Sequence, residues 1–206
     1  NTPEVCSINP HLSRECELNE ETMIKDGNGR RVVVIGGGPG GLQAAMTAGE
    51  RGFKVDLFEA SDKLGGQLIP ASKGPGKEKF LWFVENRINQ LEKLGVNIHL
   101  NTKIEKVEDI AKYDPYAIFL AVGASPAKPP IKGIDGDNVV QAIDVLITDK
   151  DELPTNKTIA IIGSGMTGLE TAEVLLNRGN TITIYDMLDE VAPGATLYPK
   201  ILSMSE

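Results

Sequence analysis

The chain has 206 residues, of which 41% are hydrophobic and 24% are charged, and its formal net charge is −8 at pH 7. This composition is that of a globular protein of one or two domains, and no apolar run approaches the length of a membrane span. The acidic balance disfavours a nucleic-acid or anionic-membrane surface, so we expect neither partner.

The two cysteines, Cys6 and Cys16, both lie near the start of the chain and form no C-x-x-C pair. The sequence therefore predicts no dithiol redox centre, and this cysteine usage is typical of a cytoplasmic protein with reduced thiols. The chain begins at Asn1 without a methionine or a signal-peptide pattern, so we expect it to be a fragment of a longer protein.

A β-α-β pattern follows a polar, turn-rich first segment, residues 1–29. The run from Val32 to Ile35 is continuously apolar and β-branched, which is typical of a strand buried on both faces of a parallel sheet. The spacing then predicts a helix over about 40–51, ended by Gly52, and a second strand that ends near Glu59.

The next elements are a long amphipathic helix, a short strand and an apolar strand. Over about 77–94 four apolar residues recur at helical spacing and predict one buried face. They are Phe80, Val84, Ile88 and Leu91. We interpret Trp82 and Phe83 as packing or interface residues and His99, in the strand "VNIHL", as an ordinary polar strand residue. The proline-rich stretch "PAKPPIKGID" is the best candidate for a linker, and a second β-α-β unit starts at Thr158.

The first turn, "GGGPGG", contains a G-x-G-x-x-G motif formed by Gly36, Gly38 and Gly41. The first glycine permits a tight turn, the second lets a pyrophosphate approach the backbone, and the third allows close packing of helix and strand. Glu59 follows Gly36 by 23 residues, where a carboxylate can accept hydrogen bonds from an adenosine ribose.

The second unit repeats this arrangement at a constant offset of 127 residues. Its glycines are Gly163, Gly165 and Gly168, and Asp186 again follows the first glycine by 23 residues. One such motif is a weak signal, but two, each between an apolar strand and a helix and each with its acid, strongly indicate two dinucleotide sites.

The paired motifs resemble the two-dinucleotide-binding flavoprotein superfamily, in which an FAD domain carries an inserted NAD(P)H domain. Two further stretches fit the likeness. "EASDKLGGQL" is similar to the loop that contacts FAD in that superfamily, which implies contacts from Gly65, Gly66 and Gln67. "FLAVGASP" is similar to the small-residue turn at the crossover between the domains, with Gly123 at its tight point.

The opening "CSINPHLSRE" resembles a segment of the long Old Yellow Enzyme-like NADH:flavin oxidoreductases, the group of 2,4-dienoyl-CoA reductase, 2-enoate reductase and trimethylamine dehydrogenase. The resemblance implies a missing N-terminal barrel with FMN and a [4Fe–4S] site whose fourth ligand is Cys6. The first three cluster cysteines are missing from this chain, so we expect neither the cluster nor FMN in it. Cys16 matches no position of the group.

The expected fold is α/β, a three-layer Rossmann-like domain followed by the start of a second one. The expected division comprises an irregular segment that follows the missing iron–sulfur site, an FAD-binding domain for the ADP half, a crossover linker and a truncated NAD(P)H-binding module. The irregular segment covers residues 1–29 and the FAD-binding domain covers residues 30–130. The crossover linker covers residues 131–154 and the NAD(P)H-binding module covers residues 155–206.

Asp186 favours NADH over NADPH, because a carboxylate binds a ribose 2′-hydroxyl and repels a 2′-phosphate. The residues after it, "MLDE", offer no arginine to hold that phosphate. The first pocket is expected to hold FAD. Its motif indicates only the ADP half, which FAD and ADP share, and some relatives bind ADP alone there.

The resemblance implies that the parent protein takes hydride from NADH through FAD and passes electrons to the cluster and FMN to reduce an activated C=C bond. No acid, base or nucleophile is assigned in this chain, since hydride transfer between stacked rings requires none. Two alternatives stay open. One is an electron-input subunit similar to the small subunit of glutamate synthase, and the other is a non-catalytic ADP-binding module.

Overall fold

A computed structural model describes residues 6, 9, 11–19 and 21–192 of the chain. Contacts divide the chain into two compact units. The first comprises Asn1–Leu68 and Phe80–Ala124, and the second comprises Ile69–Lys79 and Ser125–Glu206. The segment Ile69–Lys79 therefore belongs to the second unit, although the residues on both sides of it belong to the first.

The helices and strands that the sequence predicted before residue 125 are present. The elements are β1 (Arg31–Ile35), α1 (Pro39–Glu50), β2 (Lys54–Phe58), α2 (Leu68–Ala71), α3 (Lys79–Lys93), β3 (Asn97–His99), α4 (Glu108–Ala111) and β4 (Ala117–Leu120). Two of them, the short helices α2 and α4, were not predicted. The four strands form one parallel sheet in the order β3-β2-β1-β4. This order places the strand before the first glycine turn at the centre of the sheet, with a neighbour on each side.

Helices pack on both faces of this sheet, which makes the first unit a three-layer α/β structure. Leu42 of α1 and Leu91 of α3 are fully buried against one face. On the other face Val33 and Phe58 pack with Ile110 of α4. The consecutive valines of β1 explain this arrangement, since alternate side chains of a strand point to opposite faces and each face here needs an apolar surface.

Three of the four residues predicted for the buried face of α3 lie in or against the core, whereas Phe80 is half-buried and is not among the described residues of that core. Val84 and Leu91 lie in the core, while Ile88 packs against the core from its edge. Phe83 is also buried, as its interpretation as a packing residue requires, whereas Trp82 on the same helix is 62% exposed.

β4 is as apolar as the sequence predicted, but much of its surface is exposed. Its only strand neighbour among the described residues is β1. Phe119 and Leu120 are 47% and 75% exposed, respectively. The apolar run therefore correctly predicted a strand, while the burial that usually goes with such a run is incomplete here.

The second unit contains the second β-α-β motif. Its elements after residue 125 are α5 (Ala142–Ile147), a 3-10 turn (Lys150–Glu152), β5 (Thr158–Ile162), α6 (Met166–Leu176) and β6 (Thr181–Tyr185). β5 and β6 pair in parallel, and α6 packs on them through Ala172 and Leu175.

The stretch expected to be a linker, residues 131–154, carries a packed helix in the structure. Val145 of α5 contacts the core formed by Ile161 and α6, and Leu146 is buried. The prolines that suggested a linker precede α5. The sequence of α5 itself, "AIDVLI", is largely apolar, so one face of this helix can pack against the core. Part of this stretch is therefore built into the second unit.

Candidate functional site

The first glycine turn joins β1 to α1, and its backbone accepts only glycine at two positions. Gly36 has φ of +106°, in the region that favours glycine, and an added Cβ would lie 2.2 Å from the carbonyl oxygen of Ala121. A Cβ on Gly41 would lie 1.8 Å from the carbonyl oxygen of Gly36. The start of α1 is therefore packed directly against the end of β1.

The N-terminus of α1 is arranged as an anion site. Gly38 is its extended N-cap residue and Pro39 its first helical residue, and no side chain of the described residues caps the helix. No acidic side chain lies in the first turn either. The free N–H groups and the positive end of the helix dipole are therefore available to a phosphate.

The carboxylate of Glu59 is tied to this turn. Its Oε2 accepts a hydrogen bond of 2.6 Å from the N–H of Gly37, while its Oε1 accepts from the N–H and hydroxyl of Ser61 at 2.8 Å each. Burial raises the pKa of Glu59, but the hydrogen bonds from Ser61 and Gly37 outweigh burial and bring this pKa below its ordinary value. The side chain is therefore ionised at neutral pH.

Two further loops converge on the first turn, and both contain residues expected to contact FAD. The N–H of Gly65 donates to the carbonyl of Gly37, and a Cβ on Gly66 would lie 2.8 Å from the Cα of Gly38. The side-chain amide of Gln67 donates to the carbonyl of Ala124 at 3.5 Å. Gly123, next to Ala124, has φ of +71°. The structure thus brings the predicted double-glycine loop and crossover turn together.

The second glycine turn reproduces the geometry of the first. Gly163 has φ of +104°, and a Cβ on Gly168 would lie 2.1 Å from the carbonyl oxygen of Gly163. Gly165 is the extended N-cap residue of α6, and no described side chain caps this helix. A Cβ on Gly165 would meet nothing within 4 Å, so the backbone there is open to a ligand. The second unit therefore carries a second helix N-terminus suited to phosphate.

Asp186 is tied to the second turn as Glu59 is to the first. Its Oδ2 accepts hydrogen bonds from the N–H of Ser164 at 2.5 Å and from the Ser164 hydroxyl at 2.7 Å. Its Oδ1 accepts from the N–H of Leu188 at 3.0 Å. The N–H groups of Ser164 and Leu188, followed by the Ser164 hydroxyl, lower the pKa of Asp186 to about 2. Asp186 is therefore a fixed negative charge at the end of β6.

Three residues of this network were missed in the sequence, namely Gly37, Ser61 and Ser164. Each holds one of the two carboxylates, but none is a member of the G-x-G-x-x-G pattern. The position after the first glycine is a variable position of that motif, so its residue type carried no signal. The structure shows its importance, because in both units the N–H at this position donates a hydrogen bond to the acid that lies 22 residues later in the sequence.

A separate ion cluster in the first unit was also missed. Asp56, in the middle of β2, is 2% exposed, and its carboxylate accepts from Arg31 and contacts Nε2 of His99, each at 2.9 Å. His99 also stacks on Phe58 with ring centroids 4.5 Å apart. The interpretation of His99 as an ordinary polar strand residue therefore needs correction, because a buried carboxylate on the neighbouring strand gives it a specific partner.

The predicted cluster ligand Cys6 is exposed, and its Sγ accepts a hydrogen bond of 3.4 Å from the N–H of Asn9. Across the residues that the structure describes, no three His, Cys, Asp or Glu side chains are grouped to hold a metal ion. Within the same residues, none of the helices is both long and apolar enough to cross a bilayer.

A family model described as pyridine nucleotide-disulphide oxidoreductase matches residues 30–203 of the chain. The match covers both glycine turns and both carboxylates. The two cysteines of the chain lie before it, so the matched stretch itself contains no dithiol.

Curated relatives carry names of oxidoreductases. An NADH oxidase of Thermoanaerobacter brockii is 39% identical over 191 residues, which cover 91% of this chain and 28% of the relative. A cinnamate reductase of Clostridium sporogenes is 35% identical over 188 residues, which cover 90% of this chain and 27% of the relative. The chain thus spans somewhat more than a quarter of the length of these relatives.

A solved structure of 2-naphthoyl-CoA reductase with 2-naphthoyl-CoA has a similar fold. It matches with a TM-score of 0.79 and 26% sequence identity, over 97% of this chain and 30% of that one. As with the curated relatives, the likeness extends over nearly all of this chain but only part of the larger protein.

Proposed function

Because this chain belongs to the pyridine nucleotide-disulphide oxidoreductase family, a family of flavin-dependent NAD(P)H oxidoreductases, we propose that its two glycine turns bind two different dinucleotides. The first turn binds the ADP half of FAD, and the second binds NADH. One observation carries this proposal. In both units, a carboxylate accepts a hydrogen bond from the residue that follows the first glycine of the turn, 22 positions before it, and the turn leads into a helix N-terminus that no described side chain caps.

In the first unit, the pyrophosphate of FAD lies against the N-terminus of α1. Gly38 keeps a side chain out of its way, Gly36 and Gly41 permit the tight turn and the close packing of the helix, and Glu59 accepts hydrogen bonds from the adenosine ribose. The structure fits such a ligand, since a Cβ on Gly38 would approach only the Cα of Gly66, at 3.9 Å. ADP alone would use the same contacts.

The loops that converge on this turn extend the binding site away from the adenosine. In the proposal, Gly65, Gly66, Gln67 and Gly123 contact FAD beyond its ADP half. The support is their position, because the double-glycine loop is hydrogen-bonded to Gly37 and Gln67 is hydrogen-bonded to Ala124.

In the second unit, Gly163, Gly165 and Gly168 place the pyrophosphate of NADH at the N-terminus of α6, and Asp186 binds the 2′-hydroxyl of its ribose. A carboxylate ionised above about pH 2 would repel the 2′-phosphate of NADPH. The next four residues, 187–190, contain no cation to offset this charge. These features support NADH as the preferred nucleotide.

The chemistry supplied by the bound cofactors is hydride transfer from nicotinamide to flavin. This chain binds and orients the two dinucleotides, and its residues transfer no proton in that step. We therefore assign it binding residues and no catalytic acid, base or nucleophile.

For the intact protein, we propose a member of the Old Yellow Enzyme-like NADH:flavin oxidoreductases, located in the cytoplasm. Cys6 would be the fourth ligand of a [4Fe–4S] cluster, and the protein would pass electrons through that cluster to FMN in an N-terminal barrel and reduce an activated C=C bond. The similarity to the cinnamate reductase and to 2-naphthoyl-CoA reductase supports this assignment.

Calorimetric titration of the full 206-residue chain tests the two-site proposal. We expect one FAD and one NADH per chain, bound independently. Glu59→Gln should weaken FAD binding alone and Asp186→Asn NADH binding alone, each about tenfold, since each removes a charged acceptor of ribose hydroxyls. Competition of FAD and NADH for a single site would contradict the proposal, and binding of ADP without either dinucleotide would favour the non-catalytic alternative.

A further inference from the structure

The two proposed ribose-binding carboxylates are held by hydroxyl groups from different places. In the first unit the hydroxyl belongs to Ser61, two residues after Glu59, and the turn contributes only the N–H of Gly37. In the second unit the hydroxyl belongs to Ser164, in the turn itself. Both units therefore hold the carboxylate by hydrogen bonds, but the hydroxyl donor comes from the strand end in the first unit and from the glycine turn in the second.

In the first unit, the space next to position 37 is already occupied. A Cβ on Gly37 would lie 2.3 Å from Cδ2 of Leu64, 3.0 Å from Oε2 of Glu59 and 3.2 Å from its Cβ. The glutamate and Leu64 thus fill the space that a side chain at position 37 would need. In the second unit the acid is an aspartate, which is one methylene shorter, and position 164 holds a serine that is only 4% exposed.

On the basis of the NADH site proposed above, we propose that Ser164 is a positioning residue that determines the nucleotide preference of the second pocket. Its N–H and hydroxyl both donate to Oδ2 of Asp186. They fix the carboxylate at the strand end, with Oδ1 on its exposed side able to accept further hydrogen bonds from a ribose.

The same two donors explain why the pair selects against a 2′-phosphate. An N–H and a hydroxyl that point at one position form a small anion site, and here the carboxylate of Asp186 fills it. A phosphate that approached the strand end would meet that negative charge, and the donors that could bind the phosphate are already engaged. Loss of the Ser164 hydroxyl would loosen the carboxylate, and loss of the carboxylate would free both donors for an anion.

The test measures NADH and NADPH affinities of the full chain and its variants by calorimetry. Ser164→Ala should weaken NADH binding about tenfold, because one hydrogen bond to a charged group is lost, and should leave FAD binding unchanged. Ser72→Ala is the matched control. Ser72 is a buried serine of the same unit, and its hydroxyl donates to the carbonyl of Ile69 and not to Asp186. This control should bind NADH as the parent chain does.

A paired exchange separates positioning from general structural support. Asp186→Glu alone should weaken NADH binding, since the longer side chain meets Ser164. Adding Ser164→Gly should restore much of the loss, because it recreates the glutamate–glycine pair of the first pocket. Asp186→Ala should raise the NADPH-to-NADH affinity ratio, and a second change, Ser164→Ala, should reduce that gain.

The outcomes keep the two proposals apart. If the parent chain binds FAD but not NADH, the proposed NADH site is wrong and the role of Ser164 is wrong with it. If the parent chain binds NADH and Ser164→Ala binds it equally well, the NADH site stands and the role of Ser164 is overturned. Strictly additive effects of Asp186→Glu and Ser164→Gly would also overturn that role.

Discussion

The N–H of Gly37 donates a hydrogen bond of 2.6 Å to the carboxylate of Glu59, so the end of β2 is joined directly to the first glycine turn. The carboxylate is thereby held in place before any ligand arrives. A site that is ordered in advance loses less conformational entropy on binding, which favours affinity.

Glu59→Gln should therefore lower the affinity for FAD and ADP in parallel. Glutamine keeps the shape of the side chain, but its amide lacks the charge and one of the two acceptor oxygens. An equal loss of about tenfold for both ligands would locate the defect at the shared ADP half. The readout is calorimetric titration with each ligand, and unchanged affinities would contradict the ribose-binding role.

Gly41→Ala should destabilise the first unit by about 2–4 kcal/mol, because the new Cβ would lie 1.8 Å from the carbonyl oxygen of Gly36 and the turn must shift. Gly40→Ala is the matched control in the same helix. Its Cβ would approach only Cβ of Ala121, at 4.0 Å, and alanine favours the helix, so this variant should be stabilised by about 0.5–1 kcal/mol. Urea unfolding of the two variants gives the comparison, and equal stabilities would contradict the packing of α1 on the turn.

Asp186 should make the stability of the second unit dependent on acid pH. Its folded-state pKa of about 2 is below its ordinary value of 3.8, so its contribution to stability is complete above about pH 5 and is lost as the pH falls from there towards 2. Asp186→Asn should lose this dependence. Unfolding free energies measured between pH 6 and pH 3 would show a shallower acid decline for the variant, whereas identical slopes would contradict the lowered pKa.

The ion pair of Lys77 with Glu170 should stabilise the second unit. Glu170 lies on α6 and its side chain is 9% exposed, so its carboxylate depends on Lys77, which the segment Ile69–Lys79 contributes. Lys77→Met should cost about 1–3 kcal/mol, since it leaves a buried charge without this cation. Adding Glu170→Gln should recover part of that loss, because the buried charge is then removed as well. Denaturant unfolding of both variants measures this, and a double variant less stable than the single one would contradict the pairing.

Much of the fold could be predicted from the sequence because the determining signals are local. A continuous apolar run before a glycine motif specifies a buried parallel strand, a tight turn and a helix within about fifteen residues. The two acids could be placed because each follows its motif at the end of the next strand. The family resemblance, and not a local pattern, singled out Gly65 and Gly66 in a loop and Gly123 in a turn, and the structure gives all three positive φ angles.

The remaining features depend on contacts between distant residues. Asp56 and His99 are 43 residues apart in sequence, and no local pattern indicates that β2 and β3 pair in the register that brings them together. The assignment of Ile69–Lys79 to the second unit is likewise non-local. The role proposed for Ser164 required side-chain geometry, because the hydrogen bond from its hydroxyl to Asp186 joins residues that are 22 positions apart in the sequence.

The most direct test of the two-dinucleotide account is the visible spectrum of the full chain, loaded with FAD, desalted and then titrated anaerobically with NADH. The account predicts a retained flavin band at about 450 nm that bleaches with one equivalent of NADH. NADPH should bleach this band less effectively. Retained flavin that NADH does not bleach would contradict the claim that the two turns hold a hydride donor and its acceptor. A chain that binds ADP but retains no flavin would contradict it equally.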